Sequence, residues 1–337
     1  MKPAQAAPLP MPVTDATRLR QLTAADLRGV NDVILRYVES DIGLIRELAS
    51  HIITAGGKRL RPCLTLAAAQ LCGYTGERHV RLAACVEFIH TATLLHDDVV
   101  DASHLRRGEA TANVLWGNKS SVLVGDFLLS RAFQLMVVDG SLDVLKILSD
   151  AAAIISAGEV HQLMVSHDLT ITQTTYLEVL SAKTAALFAA ACELGAVVSD
   201  NPQWRAPLRQ YGQALGLAFQ LVDDALDYQS NETALGKAIG DDFRDGKVTL
   251  PVLIAYEAAN DDEKRFWSKA LEDGASIGPD DLKRANQLLL KADAFSKTLQ
   301  LAASYADEAR AALNVFPEGE AKAAMLEAAD FAVERGH

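Results

Sequence analysis

Aromatic residues are scarce in this chain: phenylalanine, tyrosine and tryptophan together make up 6% of its 337 residues. Apolar residues nevertheless account for half of the sequence, with alanine and leucine abundant, so a sizeable core is possible. The longer apolar runs repeat at helical rather than strand period, and no alternation of strands and helices is visible. The pattern therefore predicts an all-α protein and argues against a nucleotide-binding sheet.

Cysteine is also rare, and the four that occur lack the spacing of a zinc site or of a redox pair. No CxxC motif is present, and no histidine accompanies them at zinc-binding spacing. Each lies in an apolar helical stretch, as reduced core cysteines of a cytoplasmic protein do. We therefore predict a cytoplasmic location and no disulfide framework among Cys63, Cys72, Cys85 and Cys192.

Long uncharged apolar runs are missing as well, since none reaches the about 18 residues expected of a membrane-spanning helix. The nearest candidates, residues 121–138 and 185–198, are interrupted by charges. The N-terminus carries prolines where a signal peptide has its apolar core. We therefore expect no integral membrane segment. We also expect a flexible leader at residues 1–22 and one helical domain at residues 23–337, whose first helix runs from near Thr23 to near Thr54.

The net charge of −12 argues against non-specific binding of nucleic acid or of an anionic membrane surface. Positive charge is nonetheless clustered, at residues 58–61, 106–107 and 237–247. Basic clusters in an acidic chain suggest small anionic ligands, although from charge alone a solvated surface is the simpler interpretation. We expect no nucleic-acid partner.

Two apolar helices end in the same acidic pattern, DDxxD, at residues 97–101 and 223–227. Positions i and i+4 share one face of a helix, so the first and last aspartates of each motif point to the same side. The middle aspartates point about 100° away. Carboxylates are hard ligands suited to Mg²⁺, which takes further ligands from substrate phosphates and water. The aspartates are Asp97, Asp98 and Asp101 in the first motif and Asp223, Asp224 and Asp227 in the second.

A solvated acidic helix end is the alternative interpretation, since carboxylates also favour helix N-termini. Apolar residues flank both motifs, however, and like charges crowded on an apolar helix are costly unless a cation compensates them. Two such helices facing each other across a cavity would hold a group of Mg²⁺ ions around one diphosphate.

The basic residues near these motifs each have two interpretations. Arg106 and Arg107 follow the first motif by a short turn, where they would either clamp phosphate oxygens or neutralise the aspartates directly. Lys183 lies in an apolar stretch and would either reach the surface or point into a polar cavity that holds an anion. His90 lies two helical turns before Asp97, although a lone histidine there would more often be a core residue.

Five motifs occur in the order and spacing of a known family, the trans-isoprenyl (polyprenyl) diphosphate synthases. The chain resembles this family from about residue 25 to its C-terminus, and most of all its bacterial octaprenyl, solanesyl and decaprenyl members. The resemblance implies an all-helical bundle around a deep central cavity, usually a homodimer, that adds isopentenyl diphosphate to an allylic diphosphate. The motifs are residues 56–62, residues 88–101 with Arg106, Arg107 and Gly108, Lys183 with Thr184, residues 219–227 and residues 236–242.

The resemblance also implies a role for each matching residue. The diphosphate of isopentenyl diphosphate would be bound by Lys58, Arg61, His90 and Arg107. The allylic diphosphate would be held by Arg106, Lys183, Lys237 and Lys247. A three-ion Mg²⁺ cluster would be ligated by Asp97, Asp101 and Asp223, with Asp98, Asp224 and Asp227 as direct or water-mediated support. The developing allylic cation would be stabilised by oxygen atoms of Thr184 and Gln220.

Ala92 and Thr93 bear on product length, because they are small and lie about one helical turn before the first acidic motif. Short-chain members of the family carry bulky aromatics near this point. We therefore expect an open tunnel and a product of about 40 to 50 carbon atoms, since chain length is a matter of steric volume. Such a product suits a quinone side chain, with at most transient membrane contact on release. The tunnel would be closed lower down if one of three large residues capped it: Phe127, Phe133 or Met164.

Two other functions share part of this pattern. A class I terpene cyclase has an aspartate-rich helix and Mg²⁺, but its second metal motif mixes Asn, Ser or Thr with Glu, unlike residues 223–227. A non-catalytic subunit of a heteromeric synthase typically loses one or both aspartate motifs, and both are intact here. A purely structural bundle gives no reason for so many ions in apolar surroundings. The C-terminus offers only Arg335 and His337 as the basic residues that close over the site in many relatives.

Overall fold

The computed structural model describes residues 16–54, 59–106, 108–228, 240–272 and 278–335. Its regular structure there is almost entirely helical, which confirms the predicted all-α fold. Two-residue strands β1 (Leu105–Arg106) and β2 (Glu109–Ala110) form one antiparallel hairpin. The α-helices are α1 (Thr17–Val38), α2 (Gly43–Thr54), α3 (Leu60–Leu71), α4 (Arg78–Val100), α5 (Ala112–Trp116), α6 (Asn118–Asp139), α7 (Leu142–Val165), α8 (Gln173–Leu180), α9 (Ala186–Val198), α10 (Arg205–Leu226), α11 (Asp241–Arg244), α12 (Leu250–Glu257), α13 (Asp261–Leu271), α14 (Pro279–Lys291), α15 (Ala294–Ala312) and α16 (Glu320–Glu334).

The first helix begins at Thr17 rather than near Thr23, because its first turns bury Leu19 in the core. The Thr23 hydroxyl donates to the carbonyl of Leu19, 2.8 Å away, so Thr23 lies inside the helix and does not cap it. Residues 17–22, which we predicted as part of a flexible leader, therefore belong to this helix. Residues 1–15 lie outside the described part of the chain.

The single helix predicted from Thr23 to Thr54 is two helices in the structure. The first ends at Val38 and the second begins at Gly43. Between them the hydroxyl of Ser40 accepts a hydrogen bond from the backbone N–H of Ile42 at 3.2 Å. A local side-chain bond of this kind competes with the helical backbone pattern, which accounts for a break without glycine or proline.

Helices α4, α9 and α10 form the centre of the bundle. The helices α4 and α9 are buried on most sides, as expected of helices that are apolar all round. Helix α9 packs against both α4 and α10. Because α4 and α10 each end in an acidic motif, this packing holds the two acidic ends within one rigid core.

Helices α9 and α10 approach each other closely at Gly212. A Cβ atom at this position would lie 2.3 Å from the carbonyl oxygen of Phe188 and 2.7 Å from the Cα of Ala189. Both are backbone atoms, which cannot rotate away as a side chain can. Glycine is therefore required here for the two helices to keep their spacing.

The four cysteines are buried free thiols, as predicted. Burial raises the pKa of Cys72 to about 11 and holds its side chain as a neutral thiol. By length and composition alone, two stretches of the described chain would suffice to cross a membrane, Asn118–Asp139 and Gln173–Val198. The most apolar window of the second is 72% buried inside the protein, as in an ordinary core helix, against 39% for the first.

We expect Gly212→Ala to lower the free energy of unfolding by about 2 kcal/mol, because the added methyl group forces two backbones apart. Gly43→Ala is the matched control, since a Cβ there meets nothing within 4 Å. The free energy of unfolding of that variant should stay within about 0.5 kcal/mol of the wild-type value. Urea unfolding followed by circular dichroism measures both. Equal stability of the two variants would contradict the close approach of α9 and α10.

Candidate active site

One lysine links the acidic end of α4 to α11, which in turn is bonded to the acidic end of α10. The Nζ atom of Lys247, in the loop after α11, lies 3.1 Å from Asp101 Oδ2 and 3.7 Å from Asp242 Oδ1. The backbone N–H of Asp242 in turn donates to Asp227 Oδ2, 3.2 Å away. Because Asp101 belongs to the first acidic motif and Asp227 to the second, the two motifs face a common site.

Negative charge is crowded at this site. Burial raises the pKa of Asp97 to about 7; Lys183 opposes this rise, whereas Glu159 and Asp101 add to it. Burial alone would lower the pKa of Lys247, but the surrounding carboxylates raise it well above its ordinary value. The Asp97 shift shows a carboxylate that is partly removed from water, and the Lys247 shift shows a cation surrounded by several carboxylates. Crowded, partly buried carboxylates of this kind suit a divalent cation.

The aspartates fit Mg²⁺ bound together with a phosphate ligand. Within residues 16–335, as far as they are described, no three acidic, histidine or cysteine side chains are arranged to hold a metal ion by themselves. Mg²⁺ often takes only one or two protein carboxylates and completes its octahedron with water and substrate phosphates. The pairs available for this are Asp97 with Asp101 and Asp223 with Asp227.

The middle aspartates of the motifs, Asp98 and Asp224, are buried and bonded within the protein. The Nε of Arg106 lies 3.0 Å from Asp98 Oδ1 and 3.2 Å from Oδ2. Asp224 Oδ1 accepts from the amide nitrogen of Gln220 at 2.8 Å, and its Oδ2 accepts from the hydroxyl of Tyr176. Both oxygens of each carboxylate are thus hydrogen-bonded within the ligand-free protein, and the predicted support of metal by Asp224, direct or through water, stays a prediction.

In the ligand-free protein Arg106 neutralises an aspartate directly, and its predicted role in holding the allylic diphosphate stays a prediction. Its guanidinium donates to Asp98 through Nη2 as well, at 2.6 Å, from strand β1. The pair ties the hairpin to the end of α4. Three other predicted phosphate-binding residues lie outside the described part of the chain, so their roles stay predictions: Lys58, Arg107 and Lys237.

Between α8 and α9 the helix widens into a single π-turn, Ser181–Ala185, which carries Lys183 and Thr184. Such turns occur frequently at functional sites. The Nζ of Lys183 lies 2.8 Å from Glu159 Oε2 on α7. The hydroxyl of Thr184 donates to Gln220 Oε1 on α10, 3.1 Å away. Two consecutive residues therefore reach two different helices, and Lys183 points into the protein rather than to its surface.

A cavity of about 130 Å³ lies beside this turn. Its wall brings together residues that the sequence assigned separately to diphosphate binding and to cation stabilisation. The wall also includes apolar side chains, among them Val179 and Leu180 of α8, which suit a hydrocarbon substrate. The predicted residues on this wall are Lys183, Thr184, Gln220, Asp224 and Lys247.

Arg61 and His90 contact each other, with Arg61 Nη1 3.2 Å from His90 Nε2. The guanidinium lies 4.3 Å from the centre of the Phe188 ring. Burial lowers the pKa of Arg61 to about 10, while Glu87 and Asp223 raise it. Arg61 is therefore within electrostatic reach of the second acidic motif, where the positive charge of this pair would hold a second anionic group.

The C-terminal arginine reaches the second acidic motif. Arg335 Nη1 lies 2.7 Å from Asp223 Oδ1, and its guanidinium stacks 3.6 Å from the centre of the Phe219 ring. Of the two basic residues that the sequence offered for closing the site, Arg335 is thus at the site. His337 lies outside the described residues.

Two residues of the site escaped the sequence analysis, Glu159 and Tyr176. Glu159 pairs with Lys183, and its Oε1 is buried without a hydrogen-bond partner in the described structure. An acidic residue within the apolar helix α7 was the available signal. Tyr176 donates to Asp224 from a separate helix, and nothing local in the sequence indicates that contact.

The residues predicted to set product length lie on α4, outside the wall of the cavity. Ala92 is buried in the core, and the hydroxyl of Thr93 donates to the carbonyl of His90 at 2.8 Å. Of the large residues that would close a tunnel, Phe133 and Met164 are exposed, whereas Phe127 packs against the core under the guanidinium of Arg131. Product length stays a prediction.

Comparison with known proteins identifies the family to which this chain belongs. The family model described as polyprenyl synthetase matches residues 43–289. Octaprenyl diphosphate synthase of Escherichia coli (strain K12) is 44% identical over 94% of this chain and 98% of its own length. Polyprenyl synthase from Caulobacter crescentus CB15, solved with calcium and isoprenyl diphosphate, has a TM-score of 0.93 at 51% identity, over 97% of this chain and 100% of that one. A decaprenyl diphosphate synthase from Rhodobacter capsulatus has a TM-score of 0.91 at 47% identity, over 96% and 99%.

We expect Arg106→Gln to lower the free energy of unfolding of the ligand-free protein by about 2 kcal/mol, because it leaves Asp98 buried without its partner. Lys146→Gln is the control, since Lys146 forms an exposed ion pair with Asp150. This substitution should change the free energy of unfolding by less than about 0.5 kcal/mol. Urea unfolding distinguishes them. A residue that served only as a phosphate clamp would leave the stability of the ligand-free protein unchanged.

Proposed function

Because this chain belongs to the polyprenyl synthetase family and is a prenyltransferase, we propose that it adds isopentenyl diphosphate units head-to-tail to an allylic diphosphate, with Mg²⁺ and with farnesyl diphosphate as the expected starter. The observation that carries the proposal is the link between both acidic motifs, which runs from Asp101 through Lys247 and Asp242 to Asp227. It lies beside a cavity lined by Lys183, Thr184 and Gln220. Carboxylates for metal, cations for phosphate and neutral oxygens for a carbocation are thereby combined in one site.

The outer aspartates of both motifs, Asp97, Asp101, Asp223 and Asp227, would hold Mg²⁺, in a cluster of three ions, against the diphosphate of the allylic substrate. Bound there, Mg²⁺ neutralises the departing diphosphate. The hard oxygen donors and the raised pKa of Asp97 support this assignment. Calcium and isoprenyl diphosphate in the C. crescentus polyprenyl synthase support it as well. Lys183 and Lys247 would turn from Glu159 and Asp101 towards the phosphate oxygens.

The second substrate, isopentenyl diphosphate, would be held by Arg61 and His90, together with Lys58 and Arg107. The allylic C–O bond breaks and its electron pair leaves with the diphosphate. The double bond of isopentenyl diphosphate then attacks C1, and a proton is lost from C2 to the released diphosphate. The protein's part is to align the two substrates in a dry pocket and to stabilise the cation with the oxygens of Thr184 and Gln220.

The product would be an all-trans polyprenyl diphosphate of about 40 to 50 carbon atoms, because the side chains at Ala92 and Thr93 are small. The names of two relatives, an octaprenyl and a decaprenyl diphosphate synthase, correspond to these lengths. A quinone side chain is the proposed use of such a product. We place the enzyme in the cytoplasm, with transient membrane contact on product release.

A homodimer is the proposed assembly. Helices α6 and α7 expose large apolar side chains, among them Leu123, Val137 and Met164, at 66, 71 and 77%. Apolar surface of this kind on helices of a folded domain marks an interaction site. A second copy of the chain would cover these helices.

The purified protein should convert farnesyl diphosphate and labelled isopentenyl diphosphate, with Mg²⁺, into a long-chain product detected by mass spectrometry. Chelation of the metal should abolish the reaction. Asp97→Ala should lower kcat at least about 100-fold, since it removes charge that holds the leaving group's counter-ion. The control Asp150→Ala removes an exposed carboxylate and should leave kcat unchanged. Hydrocarbon release from farnesyl diphosphate alone would instead identify a terpene cyclase, and no elongation by the chain alone would identify a non-catalytic subunit.

Thr93→Phe and Ala92→Tyr should shorten the product by several isoprene units, because a bulky ring at this point of α4 obstructs the growing tail. Thr93→Val is the matched control: it removes the hydroxyl, keeps the volume and should leave the product length unchanged. Thin-layer chromatography of the dephosphorylated products compares the four proteins. An unchanged ladder for both bulky variants would place the tunnel elsewhere.

A further inference from the structure

Four side chains form a continuous chain of hydrogen bonds in the wall of the cavity. The hydroxyl of Tyr176 on α8 donates to Asp224 Oδ2. The amide nitrogen of Gln220 donates to Asp224 Oδ1 at 2.8 Å, and the hydroxyl of Thr184 donates to Gln220 Oε1 at 3.1 Å. All four residues line the cavity.

The chemistry of these groups sets the direction of every bond in the chain. Burial raises the pKa of Asp224 to about 7, and above that pH its carboxylate only accepts. The NH₂ end of Gln220 then faces Asp224 and its carbonyl end faces Thr184. The hydroxyl of Thr184 can then satisfy that carbonyl only by donating its single hydrogen. Its oxygen consequently has lone pairs, and no proton, left for the cavity.

Tyr176 is the fixed end of this chain. Its side chain and that of Asp224 are each 4% exposed, so neither exchanges its partner for water. Burial, with Asp224 next in effect, raises the pKa of Tyr176 well above its ordinary value, so the phenol keeps the hydrogen that it donates. Tyr176 also packs in the core cluster with Leu180 and Leu221, which holds its ring in place.

Building on the proposed function, we propose that Tyr176 is a positioning residue: acting through Asp224 and Gln220, it keeps the oxygen lone pairs of Thr184 directed at the allylic carbocation. When the C–O bond breaks, the electron pair leaves with the diphosphate and the carbon skeleton becomes positive. The oxygen of Thr184 stabilises that charge electrostatically and forms no bond to it. Asp224 accordingly serves as the anchor of this chain and not as a metal ligand.

The test compares Tyr176→Phe with Tyr211→Phe. Each removes one buried hydroxyl; that of Tyr211 donates to the carbonyl of Met325 at 2.7 Å, in a different core cluster. In single turnovers with farnesyl diphosphate and isopentenyl diphosphate, Tyr176→Phe should slow the first condensation about tenfold. The KM for isopentenyl diphosphate should stay within about twofold. Tyr211→Phe should lose comparable thermal stability and keep the wild-type rate.

A double-mutant cycle with Thr184→Val separates positioning from a general structural effect. If Tyr176 acts through the oxygen of Thr184, Tyr176→Phe should slow the first condensation less than about twofold when Thr184→Val is already present. Equal costs in both backgrounds, or a wild-type rate for Tyr176→Phe alone, would overturn the inference. Elongation by the wild-type protein tests the proposed function separately, so failure of the one is distinguishable from failure of the other.

Discussion

Among the described residues, carboxylates exceed cations in the space between the ends of α4 and α10, and the site is arranged around this imbalance. A carboxylate that is partly removed from water stays ionised only when positive charge lies nearby. Asp97 lacks enough of it, and burial raises its pKa to about 7. Lys247, shared by carboxylates from the α4 end and from the loop around α11, carries much of the compensation. The deficit that is left is what a divalent cation would fill.

Three of the described cations at the site are each paired with a carboxylate in the ligand-free protein. Lys183 has Glu159, Arg335 has Asp223, and Lys247 has Asp101. Entry of a metal diphosphate would neutralise the carboxylates through the metal and the cations through the phosphate. Because the ligand supplies both signs, carboxylates and cations would each gain a partner of opposite charge. Such an exchange of partners avoids the cost of leaving any of these ions unpaired in a partly dry pocket.

The sequence predicted local features, such as a motif on one helix. It did not predict which side chains from distant parts of the chain contact each other. The spacing of Asp97 and Asp101 is a property of one helix, so the motif could be read from the sequence, and its role in metal binding stays a prediction. The bond from Arg106 to Asp98 depends on how a hairpin folds back, and the charge pattern left both interpretations open. The break after Val38 carries no glycine or proline and was missed for that reason. Tyr176 comes from a helix whose position only tertiary packing decides.

The π-turn directs two adjacent side chains to different helices. Consecutive side chains on a helix point about 100° apart, so Lys183 and Thr184 cannot address the same atom. Lys183 faces the charged side of the site, and Thr184 faces Gln220. The close approach of α7 is possible because a Cβ at Gly158 would lie 2.7 Å from that of Ala182, within the turn. Under the proposed function, the backbone separates the group that would bind diphosphate from the one that would face the cation, and the substrate bond to be broken would lie between them.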